Sequence, residues 1–176
     1  MGRKLTMDEL NRMSVDDFKD SEKVPVVVVL DNIRSLSNIG SVFRTSDGFR
    51  IEGIHLCGIT AKPPHREIHK TALSATESVD WKYFESTEES VVELRKSGYK
   101  ILAVEQVENS IMLNAYFPEK GQKIALIFGN EVKGVEEKII ELADSCIEIP
   151  QWGTKHSFNI SVSVGIVLWD IVLKLK

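Results

Sequence analysis

A chain of 176 residues with 43% hydrophobic and 27% charged side chains has enough apolar material for one full core, burying roughly 70% of its unfolded surface. Its net charge of −4 excludes a strongly basic nucleic-acid protein, and no apolar run approaches the ~20 residues that span a bilayer. Met1 to Met13 is too polar for a secretory signal, and Cys57 and Cys146 lack CxxC spacing, so a cytoplasmic protein with free thiols and no metal site is expected.

In chain order, Thr6-Met7-Asp8-Glu9 has the form of a capping box, and Leu10 and Met13 continue an apolar stripe. These residues predict a helix from 6 to about 18, followed by a charged link to Lys23. Residues 1–23 are then an N-terminal helix and link, too short for a separate RNA-binding domain, and 24–176 the main domain. Val24 to Leu30 is a near-continuous β-branched run suited to a strand buried on both faces. Further strands are expected near 53–57, 79–84, 99–105, 123–128 and 146–149, with helices near 38–48, 87–97, 135–143 and 158–174. Gly98 is placed to end the third-quarter helix and Gly121 to turn the chain before the next strand. Such alternation implies an α/β fold, a mainly parallel sheet with helices on both faces.

Two segments stand out against this background. Lys62 to Lys70 concentrates Lys62, Arg66 and Lys70 with His65 and His69 against one acid, Glu67. It reads either as a solvated loop or as a basic rim able to hold RNA despite the negative total. Residues 160–169 carry only apolar, small and serine side chains. A helix apolar nearly all round has to be covered on every side, either as a central buried helix or as core plus subunit interface, and Val167 and Ile171 are then interface candidates.

Polar and glycine residues crowd the ends of three buried runs: Asp31 to Gly40, Gly129 to Gly134, and Pro150 to Asn159. The carboxyl end of a parallel strand, with helix N-terminal N–H groups nearby, is where open α/β sheets bind ligands. No G-x-G-x-x-G follows any strand, so the usual dinucleotide fingerprint is absent.

Three stretches, Asn38-Ile39-Gly40-Ser41-Val42-Phe43-Arg44-Thr45, Ile127-Phe128-Gly129-Asn130-Glu131-Val132-Lys133-Gly134, and Ile149-Pro150 with Ser157-Phe158-Asn159-Ile160-Ser161-Val162, resemble in order the three motifs of the SpoU (TrmH) family of RNA ribose 2′-O-methyltransferases, of the SPOUT class. Gln151-Trp152 departs from the methionine often found after Ile-Pro, and Phe158 from the usual Leu or Met. The resemblance implies a C-terminal deep trefoil knot, a homodimer packing near it, and S-adenosyl-L-methionine held by Val104, Gly129, Ile149, Pro150, Ser157, Phe158 and Asn159. It also implies an RNA partner, tRNA or rRNA, and a catalytic set of Arg44, Glu131, Asn38, Ser157 and Asn159.

Arg44 carries the matching motif arginine. A guanidinium stays protonated, so stabilising a developing alkoxide suits it better than accepting a proton. Glu131 is the competing proton acceptor, provided that burial raises its pKa, or else it orients Arg44 or caps a helix. Asn38, Ser157 and Asn159 serve as ribose contacts or as caps. The other functional readings are a catalytically silent RNA-binding protein of the same fold and an unrelated nucleotide-binding α/β protein, the latter lacking any phosphate-binding glycine loop.

Overall fold

The computed structural model describes residues 2–6 and 8–176. Seven strands, β1 (Val24–Asp31), β2 (Ile51–Cys57), β3 (Trp81–Phe84), β4 (Lys100–Val104), β5 (Ile111–Met112), β6 (Ile124–Phe128) and β7 (Ser145–Glu148), form one sheet in the order β3-β2-β1-β6-β4-β7-β5. Every pairing is parallel. Seven α-helices complete the fold of the described residues: α1 (Val15–Asp20), α2 (Leu36–Phe49), α3 (Arg66–Ala72), α4 (Ala75–Ser78), α5 (Thr87–Lys96), α6 (Glu137–Leu142) and α7 (Ile160–Leu175).

The central strands show why the apolar runs fold this way. Successive β-strand side chains point to opposite faces, so a strand apolar at every position feeds two cores. Val26, Val28 and Leu30 of β1 join Leu126 and Phe128 of β6 in a core under α2 and α7. Val27 and Val29 join Ala125 and Ile127 in the core under α5 and α6. The expected α/β architecture is therefore present, with its strand ends within a few residues of those read from the sequence.

Differences fall where local signals were short. In place of a helix over 6–18, Asp8–Leu10 makes one 3-10 turn, Asn11 turns left-handed at φ 45°, and α1 starts at Val15. Ser14 forms the stronger cap: its Oγ accepts the Asp17 N–H at 3.1 Å, and the Asp17 carboxylate accepts from Ser14. The Thr6–Glu9 half of the expected box exists, with Glu9 accepting the Thr6 N–H at 2.8 Å, while Met7 lies outside the described residues. The basic segment is largely helical: His65 caps α3 by accepting the Glu67 N–H, and only Ile68 and Ala72 are buried, too few for a visible period. The two-residue β5 and the four-residue α4 left no periodic trace at all.

Helix α7 separates the two faces that composition alone merges. Val164, Val167, Leu168 and Ile171 are completely buried against this chain's own sheet and α2, so Val167 and Ile171 are core, contrary to their expected place at an interface. Val162, Trp169 and Leu173 lie exposed on the opposite side, with Ile166 between them half-buried. Among the described residues no helix is long and apolar enough to cross a membrane, and no group of three or more His, Cys, Asp or Glu is placed to hold a metal. Cys57 is a buried free thiol and Cys146 a half-buried one.

Candidate active site

Two of the three polar segments, at the carboxyl ends of β6 and β7, line a cleft of about 700 Å³ together with the end of β4, and the third, Asp31 to Gly40, adjoins it without lining it. That volume lies in the range of small-molecule sites. Its apolar side is built by Val104, Phe128, Ile149 and Phe158, its polar side by the backbone and side chains of 129–134 and 156–159. Of the residues expected around a cofactor, Val104, Gly129, Ile149, Ser157, Phe158 and Asn159 line it. Pro150 does not, although its neighbours Ile149 and Gln151 do.

Gly129 is required for a reason internal to the chain. A Cβ on it would lie 2.1 Å from the Gly134 carbonyl carbon and from the Val135 nitrogen. The segment folds back on itself through two hydrogen bonds between Asn130 and Gly134, at 3.0 and 2.8 Å, and the Asn130 Oδ1 accepts the N–H groups of Val132 and Lys133. Asn130 also donates to the Asn32 carbonyl at 2.6 Å, so one side chain both closes its own loop and moors it to the end of β1.

A continuous set of hydrogen bonds joins the three segments. The Asn159 Nδ2 donates to the Asn38 Oδ1 at 3.2 Å, and the Asn38 Nδ2 donates to the Glu131 Oε1 at 3.4 Å. Glu131 further accepts the backbone N–H groups of Arg34 (3.1 Å) and Ser35 (3.0 Å), holding the turn that starts α2. Asn159 is at the same time the N-cap of α7, accepting the Ser161 N–H at 2.9 Å. Partial burial pushes the Glu131 carboxyl upward, and its N–H donors more than reverse this, leaving it below the ordinary carboxylate value. The condition attached to Glu131 as a proton acceptor, a raised pKa, is not met.

Arg44 lies six residues beyond Asn38 on α2, about 9 Å along the axis and a third of a turn round. It is exposed, does not line the cleft, and makes no hydrogen bond or ion pair among the described residues, including to Asp47 or Glu52. Ser157 lines the cleft, and its hydroxyl makes no hydrogen bond among the described residues. Trp152 projects away from the surface at 91% exposure.

Sequence reasoning passed over three further residues. Glu105, directly after β4, accepts the Val135 N–H at 3.0 Å and fills the space that a side chain at Gly134 (φ 70°) would need. Gln106 donates to the His156 carbonyl at 3.0 Å, tying β4 to the 150–159 loop. Asn130 had a signal in the Asx-turn preference of asparagine before glycine-rich loops, and Glu105 had one in its place at a strand's carboxyl end.

The description "SpoU rRNA Methylase family" belongs to a family model that matches residues 25–169. An uncharacterized tRNA/rRNA methyltransferase of Borreliella burgdorferi is 30% identical over 165 residues, covering 92% of this chain and 69% of its own. A tRNA (guanosine(18)-2′-O)-methyltransferase of the same organism is 26% identical, covering 84% of this chain and 66% of its own, so the chain spans about two thirds of the length of these relatives. Among solved structures, the TrmH/SpoU tRNA modifying enzyme of A. aeolicus superposes with a TM-score of 0.79 at 22% identity, over 91% of this chain and 79% of that one. An AdoMet-bound rRNA methyltransferase from Sinorhizobium meliloti gives 0.78 at 24%, over 87% and 58%.

Proposed function

Since the chain belongs to the SpoU rRNA methylase family, we propose that it transfers the methyl group of S-adenosyl-L-methionine to a ribose 2′-hydroxyl of tRNA or rRNA in the cytoplasm. The observation that carries this reading is the hydrogen-bonded path Asn159–Asn38–Glu131, which draws the three family motifs to one edge of one cleft. The structural relative from Sinorhizobium meliloti is described as AdoMet-bound, and the cleft has the size and the mixed lining that such a group needs.

When bound, S-adenosyl-L-methionine supplies an electrophilic methyl group. Ile149 and Phe158 offer apolar faces for an adenine ring, and the backbone around Gly129 and Ser157 offers polar partners. Glu131, held as a carboxylate, positions Asn38 and the start of α2. The Arg44 guanidinium stabilises the alkoxide as the hydroxyl proton leaves to water or to an RNA phosphate.

Homodimerisation completes the proposal. Val162, Ile166, Trp169 and Leu173 recur at 4, 3 and 4 residues along the outer side of α7, an unpartnered apolar stripe beside α2, where Phe49 meets Trp169 edge-on at 6.4 Å between ring centres. A second copy docked there brings its own Arg44 towards the cleft. A C-terminal trefoil knot is supported by β7 lying between β4 and β5 and by Lys174, near the chain's end, donating to the Leu113 carbonyl at 2.7 Å. An experimental trace of residues 105–124 around 150–176 decides it.

The test of function is transfer of labelled methyl groups to total cellular RNA, with the 2′-O-methyl positions mapped. The expected product is a single modified nucleotide in tRNA or rRNA. Binding of S-adenosylhomocysteine and RNA without any transfer would replace this reading with the silent RNA-binding one.

A further inference from the structure

A second cleft of about 410 Å³ adjoins the first and shares the Asn130–Gly134 loop with it. Its sides are apolar and unusually bare, with Ile59 65% and Val132 77% exposed. Arg34 and Lys133 stand at it with exposed side chains that make no hydrogen bond or ion pair among the described residues.

The frame that holds these groups is rigid. Asn32, left-handed at φ 57°, accepts the Ile59 N–H at 3.1 Å, donates to the Asp31 carboxylate at 3.0 Å and to Glu136 at 3.2 Å, and receives the Asn130 amide on its carbonyl. Gly58, also left-handed at φ 61°, admits no side chain because a Cβ would lie 2.1 Å from the Asn32 Oδ1. Thr60 accepts the Ile33 N–H at 2.9 Å and donates to the Leu30 carbonyl at 3.1 Å, fixing the far side of the Ile59 loop. The carboxylates here are already engaged, Asp31 by the Thr87 hydroxyl at 2.6 Å and Glu136 by Lys138 at 3.0 Å. Arg34 and Lys133 are the cations of the lining that no such contact engages, set beside the Asp31 carboxylate.

Two apolar walls on a fixed frame, with two uncommitted cations at the rim, match a flat ring that carries a phosphate. Bases pack on apolar surfaces irrespective of sequence, while Lys and Arg take the backbone. We propose that this cleft seats an RNA nucleotide neighbouring the methylated one, its base between Ile59 and Val132 and its phosphate on Arg34 and Lys133. The proposal rests on the methyltransferase reading, since the strand held here is the one that enters the first cleft.

Fluorescence anisotropy of a labelled mixed-sequence single-stranded RNA heptamer, from about 50 to about 300 mM KCl, tests this on the intact chain. Each phosphate contact on single strands contributes about 0.7 to the slope of log affinity against log salt. The double variant of Arg34→Ala and Lys133→Ala is expected to lower the slope by about 0.7, the loss of one phosphate contact, and each single variant by part of that. Ile59→Ser is expected to weaken binding by roughly tenfold with the slope unchanged, since it removes ring packing and no charge. S-adenosylhomocysteine titration of Arg34→Ala, expected to match wild type, shows that the fold and the first cleft are intact. A double variant with the wild-type slope overturns the proposal, as does a wild type that does not bind the heptamer. The two readings fail separately: slope changes in a protein that transfers no methyl group leave this cleft standing, and methyl transfer with unchanged slopes removes it alone.

Discussion

Glu131 accepts hydrogen bonds from two backbone N–H groups and the Asn38 amide, and an acid so engaged is a strut before it is a base. Glu131→Gln keeps the shape and removes the charge, so it is expected to cost about 1 kcal/mol in unfolding free energy. Turnover falls with it, while the pH–rate profile keeps its form between about pH 6 and pH 9, because a carboxyl held below its ordinary value does not titrate there. An acidic limb present in wild type and missing in the variant would restore Glu131 as the proton acceptor. His55 makes the opposite case of a titratable group with a purely structural role. Buried 7% exposed between Phe84 and the Ser90 hydroxyl at 2.7 Å, it is pushed down from 6.5 to about 4, chiefly by desolvation. Below pH 6.5 the unfolded chain binds a proton that the folded one refuses until about pH 4, so this contribution is whole above pH 6.5 and lost as pH falls through that window. It amounts to about 3 kcal/mol. Thermal unfolding against pH is expected to show a shallower acid decline for His55→Gln than for wild type.

Among the elements, α7 is the one with two apolar sides, one buried in this chain's core and the other exposed. Val167→Glu buries a carboxylate at a fully enclosed position and is expected to cost about 4 kcal/mol or more, lowering the melting temperature of any oligomer and monomer alike. Trp169→Glu changes a side chain that is 60% exposed and is expected to cost the monomer less than about 1 kcal/mol while weakening the dimer at least about tenfold in sedimentation equilibrium. A dimer indifferent to Trp169→Glu would move the interface off this stripe. The two sides were not separable in the sequence, because residues 160–169 are apolar all round and no charge marks the outer face. By contrast β1 and β6 were legible, since a strand covered on both faces needs apolar residues at every position and few other elements look alike. The α3 helix was hidden by the reverse condition: two buried positions in seven residues, among charges that read as loop.

For the whole molecule, the order β3-β2-β1-β6-β4-β7-β5 explains how segments more than a hundred residues apart come to share one edge: β1 and β6 are neighbours, β4 and then β7 follow on the β6 side, and all point the same way. The first cleft was thereby legible from strand ends and motifs, whereas Asn130, Glu105 and the second cleft depend on loops meeting in space. Arg44 is the residue that this arrangement leaves outside, exposed on α2, the helix whose Phe49 meets Trp169 of α7. If two copies pack on that side, each arginine serves its partner's cleft, and complementation follows. Arg44→Ala lacks the cation and Ile149→Asp places a carboxylate in the cofactor cleft, so neither homodimer is expected to turn over. Co-expressed with different tags, half of the dimers are mixed, and each mixed dimer pairs one sound cleft with one sound Arg44 from the other chain, returning roughly a quarter of wild-type turnover in the pool. An arginine acting within its own chain leaves every site of the mixed dimer defective, so a pool as inactive as its two parents would assign Arg44 to the cleft beside it.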